Sequence, residues 1–323
     1  MQQEQPSISV REAPQCVACG SPGEMEHERL VDRLYNAPGI WGLRRCSNVL
    51  CRFGWLNPEP AASDIWQFYR SYWTHDNDEA QPPVADAQLS SKPKRLAKQI
   101  AGLLLPWRRQ ALQSDGRYLA HRAPARLLDV GCGTGDYLAG MTGLGWDATG
   151  VEFDEAAVAA ARRHPGLKVL AGSLADQHFP DDAFDAITLS NVIEHLPDPL
   201  GTFAELKRVL APAGRLVIIT PNVNALGHKA FGRCWRGLEP PRHLYLFNSA
   251  VLSALAGKVG LKPEACLTVP ATSSGILESS LELWRRKARP ATQPNLRRLK
   301  LREQVSSLFN SDGGEFVVLL ATK

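Results

Sequence analysis

Apolar and polar positions alternate most regularly beyond residue 120. Residues 127–130 form a short apolar run closed by glycines and read as a buried strand, and helical spacing restarts at Tyr137. Residues 148–152 read as a second strand, 155–163 as an Ala-rich helix and 168–170 as a third strand. The fourth strand covers 184–191, behind a lead-in turn at Pro180-Asp181-Asp182. The fifth covers 215–220 and is entered through Pro212-Ala213-Gly214. Strands alternating with helices at this interval predict an α/β fold, a doubly wound and mostly parallel sheet with helices on both faces. Residues 261–269 and 315–322 read as the last two of seven strands. The segment between them is far longer than a hairpin loop and carries an apolar-faced helix over 276–284.

The first hundred residues are patterned differently. Phe53-Gly54-Trp55-Leu56 is an apolar strand ending near Pro58, and residues 64–69 make a short amphipathic helix bearing Trp66 and Tyr69. Residues 74–91 are polar, contain Pro82-Pro83 and read as a linker. Residues 92–122 have helical character, broken at Pro106, with Lys and Arg around an apolar stripe. This divides the chain into a module over 10–73, a linker over 74–91 and the sheet domain over 92–323, with a basic helical insert at about 270–312.

Composition adds constraints. The chain has 323 residues, 44% hydrophobic and 22% charged, which excludes a mainly disordered chain. Lys+Arg number 37 against 33 Asp+Glu, so the overall charge of +4 does not itself imply a nucleic-acid partner. No apolar run approaches the ~18 residues of a spanning helix, and the polar N-terminus carries no secretion signal, so the expected location is cytoplasmic. The basic stretch 92–122 reads as a solvated amphipathic helix or as a helix on the inner face of an anionic membrane; that over 285–302 reads as a solvated helix pair, or as a surface for anionic lipid, a phosphate-bearing acceptor or RNA.

In a reducing compartment, closely paired cysteines more often hold metal than form disulfides. Cys16-x2-Cys19 and Cys46-x4-Cys51 are two such pairs. Each short loop lets two thiolates point at one ion, and two loops complete a tetrahedral S4 set, the preference of structural zinc. The alternative is four thiols without metal. Gly20 follows Cys19, where a tight turn needs freedom in φ.

The most informative stretch is Leu128-Asp129-Val130-Gly131-Cys132-Gly133-Thr134-Gly135. A strand, a glycine turn and a helix start let a ligand approach bare backbone. Asp129 suits a cationic group more than a pyrophosphate. Glu152, at the end of the second strand, is placed to accept the hydroxyls of a ribose. This glycine turn, Glu152, Phe184-Asp185-Ala186-Ile187, Asn191-Val192-Ile193-Glu194-His195-Leu196, and Leu206-Lys207-Arg208-Val209-Leu210-Ala211-Pro212-Ala213-Gly214 occur in this order. Over about residues 120–260 the set resembles the class I S-adenosylmethionine-dependent methyltransferases, whose sheet is Rossmann-like. The resemblance implies that Asp129, Gly131, Cys132, Gly133 and Gly135 hold the methionine end of S-adenosyl-L-methionine, with Asn191 closing that side. It implies that Glu152 holds the ribose, that Phe153 flanks the adenine and that Ser173 and Leu174 border its edge. Many relatives carry Asp where Ser173 stands, which moves the adenine amine contact to Asp176 or to backbone. With the zinc-ribbon-like module, the chain resembles bacterial enzymes acting on sugars, polysaccharide precursors or secondary metabolites.

Transfer to oxygen needs a base past the ends of the fourth and fifth strands. His243 is the favoured base, and His195 is the second candidate, read first as a helix-start residue that shapes the pocket. Residues 220–247, rich in Trp, His, Arg and Tyr, suit a lid over the acceptor, and Arg242 either binds an acidic group there or pairs with Glu239. The expected activity is O-methylation of a small molecule or glycan precursor. The alternatives are an RNA or a lipid or quinone methyltransferase, and a non-catalytic cofactor-binding scaffold.

Overall fold

The structure is a computed structural model that describes residues 8–69, 116–119, 121–270, 275–286, 293–308 and 312–323. The expected linker over 74–91 and most of the basic stretch over 92–122 lie outside the described residues.

The N-terminal part supplies β1 (Val10–Arg11), β2 (Gly23–Leu30), β3 (Trp41–Cys46), β4 (Gly54–Asn57) and β5 (Glu59–Pro60). The chain continues with β6 (Arg126–Val130), α1 (Asp136–Gly143), β7 (Asp147–Glu152), α2 (Glu155–Ala161), β8 (Lys168–Ala171), β9 (Phe184–Ser190), α3 (Pro199–Val209) and β10 (Leu210–Pro221). Then come α4 (Leu226–Phe231), β11 (Tyr245–Leu246), α5 (Ser249–Lys258), β12 (Lys262–Val269), α6 (Ile276–Arg286), α7 (Leu296–Leu308) and β13 (Phe316–Thr322).

Seven strands form one sheet in the order β12-β13-β10-β9-β6-β7-β8. The pairs from β10 through β9, β6 and β7 to β8 are parallel, whereas β13 runs antiparallel to both β10 and β12. This is the doubly wound, mostly parallel architecture expected of the sequence. The apolar runs of β6, β9 and β10 are buried because helices cover both faces of a parallel sheet. Helix starts are set by side chains. Asp154 Oδ1 accepts from the Ala156 and Ala157 amides at the start of α2, and Asp198 accepts from Gly201 with Pro199 in the first turn of α3. Such caps satisfy amides that have no partner inside the helix.

The strand order reverses beside β6, which pairs with β7 on one side and β9 on the other. In open α/β sheets, ligands bind in the crevice outside the carboxyl ends of strands at this kind of switch. That edge carries the glycine turn after β6, Glu152 at the end of β7, Ser173 after β8 and Asn191 after β9.

A second sheet has the order β11-β4-β3-β2. Its strand β11 comes from the far side of the chain, where Tyr245 pairs with Trp55 and Leu246 with Gly54. Phe53 stacks on Tyr245 at 5.6 Å and lies 5.1 Å from Phe247. The cysteine module therefore shares its core with residues 220–247 instead of enclosing one alone. That stretch is not a lid: Trp235, Arg242, His243, Tyr245 and Phe247 are buried inside the molecule.

Candidate active site

The glycine turn is shaped by contacts on both sides. Gly131, Gly133 and Gly135 all have φ between +54° and +83°, a region that side-chain-bearing residues rarely adopt. A Cβ on Gly131 would stand 2.2 Å from Val192 Cγ2, so the turn after β6 and the segment after β9 approach too closely for any larger residue. Around Gly133, by contrast, a Cβ would meet nothing within 4 Å among the described residues. The Cys132 thiol, its pKa raised chiefly by burial, sits under the turn against Gly150 and packs rather than presents itself.

Glu152 ties the turn to β7. Its Oε2 accepts from the Gly133 amide at 2.8 Å, and its Oε1 accepts from Phe153 at 2.8 Å and Asp154 at 3.0 Å. Burial raises its pKa, and these three amides oppose the rise. Phe153, next along the chain, is 62% exposed. A large aromatic held on the rim of the crevice fits a stacking surface for a flat base.

Beneath the turn Asp129 is fully buried, and its Oδ1 accepts from Arg117 and, at 2.7 Å, from the Thr188 hydroxyl. The Arg117 guanidinium lies 3.8 Å from the centre of the Tyr137 ring. The cationic partner of Asp129 in the structure is thus a residue of this chain. Sequence reasoning missed Arg117 because it lies within a stretch read as an amphipathic helix. Residues 116–119 instead form a turn, with Arg117 and Tyr118 at positive φ.

Past β8, Ser173 and Asp176 close on one another. Asp176 Oδ2 accepts from the Ser173 amide at 2.9 Å and its hydroxyl at 2.6 Å, and these bonds lower the Asp176 pKa. Leu174 is buried. Asn191 has φ +54°, tolerable for Asn, and its amide donates to Ile219, which seats it between β9 and β10.

Next to it, residues 193–195 run alongside residues 242–244, linked by the Leu244 amide to the Glu194 carbonyl at 2.8 Å. This brings the two candidate histidines together, with ring centres 4.8 Å apart. His195 Nδ1 lies 3.0 Å from the Arg242 carbonyl and 3.0 Å from the Tyr69 hydroxyl. His243 Nδ1 lies 2.8 Å from the Gly237 carbonyl. A carbonyl only accepts, so both Nδ1 atoms carry the proton and both Nε2 atoms keep a lone pair. Burial lowers both pKa values, that of His243 to about 3. His195 is partly exposed, whereas His243 is buried.

Glu194 completes the cluster. Its Oε2 accepts from Thr220 at 2.9 Å, its Oε1 is buried with no hydrogen-bond partner, and burial pushes its pKa up to about 8. A carboxylate oxygen of Glu194 and one nitrogen from each histidine lie within 4.8 Å of one another. Glu194 follows β9 in a short helical turn, and its sequence signal is an acid among the apolar Val192, Ile193 and Leu196. Arg242 is fully buried. It donates to Asp32 at 2.8 Å and Glu239 at 3.0 Å, so it is taken up internally and cannot receive an acidic acceptor.

In the N-terminal module the four cysteines converge. Cys16 and Cys51 Sγ are 3.7 Å apart, Cys19 and Cys46 3.5 Å, and all four lie within 4.8 Å. A tetrahedron with Zn–S near 2.3 Å has sulfur atoms about 3.8 Å apart, so the set fits a zinc ion. Gly20, at φ +75°, lets its amide return to the Cys16 carbonyl at 2.7 Å.

The profile of the methyltransferase-domain family matches residues 104–265, half of the chain. The chain belongs to the S-adenosylmethionine-dependent methyltransferases. A probable S-adenosylmethionine-dependent methyltransferase of Mycolicibacterium smegmatis is 38% identical over 47% of this chain and 58% of its own length. The ubiquinone biosynthesis O-methyltransferase of Alkalilimnicola ehrlichii is 35% identical over 31% of this chain and 42% of its own. The demethylmenaquinone methyltransferase of Thermus thermophilus is 37% identical over 53% of this chain and 77% of its own. The chain thus spans about half the length of the first two relatives. Among the described residues, no helix of this methyltransferase is long and apolar enough to cross a membrane.

Proposed function

We propose that this methyltransferase transfers a methyl group from S-adenosylmethionine to an oxygen of a small-molecule or glycan-precursor acceptor, and that its four N-terminal cysteines hold a structural zinc. When bound, the cofactor supplies a methyl already activated on a sulfonium, so the protein's work is alignment, exclusion of water and acceptance of one proton. The Gly131–Gly135 turn, with Asn191, holds the methionine end of the cofactor, Glu152 holds its ribose, Phe153 flanks its base and Ser173 with Leu174 borders it. Asp129 lies buried beneath the turn and binds Arg117, which packs on Tyr137 in α1. Four thiolates leave no open position on the metal, so zinc takes no part in the chemistry.

The observation that carries the oxygen reading is the His195–His243–Glu194 cluster beside Asn191, on the same sheet edge as the glycine turn. His195 Nε2 has a lone pair, and the ring is the partly exposed one of the two. It is the group best suited to take the acceptor's hydroxyl proton as oxygen attacks. His243 stands behind it as a positioning residue.

Calorimetry with S-adenosylmethionine and labelled-methyl transfer into fractionated extract, with mass analysis of the product, test this reading. His195→Gln is expected to lower turnover by roughly 10²–10⁴-fold, the usual worth of a general base, with cofactor affinity retained. Glu152→Ala is expected to weaken cofactor binding. Binding without transfer to any fraction would leave a cofactor-binding scaffold, and label recovered in RNA would reassign the acceptor. A quinone-type acceptor is the second reading, favoured by what the named relatives from Alkalilimnicola ehrlichii and Thermus thermophilus act on. Exposed Arg285, Arg286, Arg297 and Arg298 on α6 and α7 give that reading a surface for anionic lipid.

A further inference from the structure

Where strand β2 meets helix α4, a second cluster of donors comes together. His27 on β2 and His228 on α4 bring their Nε2 atoms to 3.0 Å, although 201 positions separate them in the chain. His228 Nδ1 lies 2.8 Å from the Val223 carbonyl, so Nδ1 carries the proton and Nε2 presents a lone pair to His27. The ring is locked: it stacks on Trp235 at 4.8 Å and 19°, and Trp235 Nε1 donates to Glu315 at 2.7 Å. An imidazole fixed through Nδ1–H to a carbonyl, with Nε2 free to bond, is the arrangement found around metal-binding histidines.

The third donor is placed by an irregularity. Consecutive residues of a regular strand point to opposite faces. Between Met25 and His27 the register slips, so that Met25 pairs with Arg44 and His27 with Leu43. Glu26 is the extra residue of a β-bulge, a device that re-aims side chains. A Glu26 carboxylate oxygen consequently joins the two imidazoles, all within 4.8 Å. Arg45 lies 3.7 Å from this carboxylate and is itself held by Asn224 and the Val223 carbonyl.

We propose that Glu26, His27 and His228 form a divalent transition-metal site of the zinc class, separate from the four cysteines, that clamps the N-terminal module to the methyltransferase domain. Two imidazoles and one carboxylate make a three-donor set, with a fourth position left for water at the exposed Glu26 side.

The test uses the full chain, stripped of metal and titrated with Zn²⁺ and with Co²⁺. The wild type is expected to bind one equivalent more than His27→Ala or His228→Ala. In the Co²⁺ form, the visible spectrum lost with either substitution is expected to lack thiolate charge-transfer bands, which belong to the cysteines. His27→Gln, a conservative change at a half-buried position on an exposed edge strand, guards against misfolding. Zn²⁺ is expected to raise the wild-type Tm more than that of His27→Gln, as binding to the folded state alone requires. Equal stoichiometry in wild type and variants, or an equal Zn²⁺-induced Tm shift, overturns the site and leaves a hydrogen bond between two neutral rings.

Discussion

At the scale of single residues, two buried ionisable groups in the Glu194–His195–His243 cluster pull stability in opposite directions with pH. Glu194 has a folded pKa pushed up to about 8 from an ordinary 4.5. Between those values the folded state holds a proton that the unfolded state has released, so its contribution is complete below 4.5 and is lost as pH rises towards 8. His243 is the reverse, pushed down to about 3 from 6.5. Its contribution is complete above 6.5 and is lost as pH falls towards 3, because the unfolded chain takes up a proton that the buried ring refuses. At about 1.4 kcal/mol per pH unit, each is worth a few kcal/mol across its window. The two slopes cancel between about pH 4.5 and 6.5, so we expect Tm to be highest on that plateau and to fall on either side, and Glu194→Gln to remove the alkaline fall. An alkaline limb unchanged in that variant would place the titration elsewhere. The roles of the histidines were open in the sequence because tautomer, exposure and partner are tertiary facts. Nothing near His195 in the chain announces the Arg242 carbonyl that fixes its proton.

At the scale of elements, β11 shows what patterning along a chain cannot reveal. A two-residue strand has no periodicity, and Tyr245 and Leu246 become a strand only because Trp55 and Gly54 are beside them. The strands of the large sheet were legible because parallel strands buried on both faces read as apolar runs. Strand β2, mostly exposed and charged, gave no such run. Gly54 packs closely, and a Cβ there would stand 3.1 Å from Val223 Cγ2 and 3.2 Å from Leu246 Cβ. Phe53 is fully buried between Trp55, Tyr245 and Phe247. Phe53→Ala is expected to cost about 3–5 kcal/mol, the usual range for an aromatic removed from a core, and denaturant unfolding measures it. A cost near zero would mean that this junction is loosely packed.

At the scale of the whole molecule, the same apolar cluster contains Cys16, Trp41 and Phe53 from the N-terminal module and Leu128, Ile187 and Leu319 from the large sheet. Polar bonds follow the same course: Asn248 caps α5 through Val251 and donates to the Cys51 carbonyl at 2.7 Å, and Lys258 donates to Ala18 at 2.6 Å. Both knuckles of the cysteine cluster are thus tied to α5. With the proposed zinc on the four cysteines, a chelator is therefore expected to lower the Tm of the entire protein in one calorimetric transition. Two separate transitions, with only the first responding to the chelator, would show that the halves unfold independently. The sequence divided the chain at a linker because composition changes there, and a shared interior leaves no mark in composition.

The position of β13 has a consequence for how this molecule comes into being. On the ribosome, β12 emerges before β13, yet its place in the sheet is one step further out, with β13 as its neighbour on the inner side. Until β13 is synthesised, β10 offers an unpaired ladder and β12 has nowhere to dock. The nascent chain must carry that open edge through the translation of α6 and α7, an interval in which a holding chaperone, or pairing with a foreign strand, competes with completion of the fold.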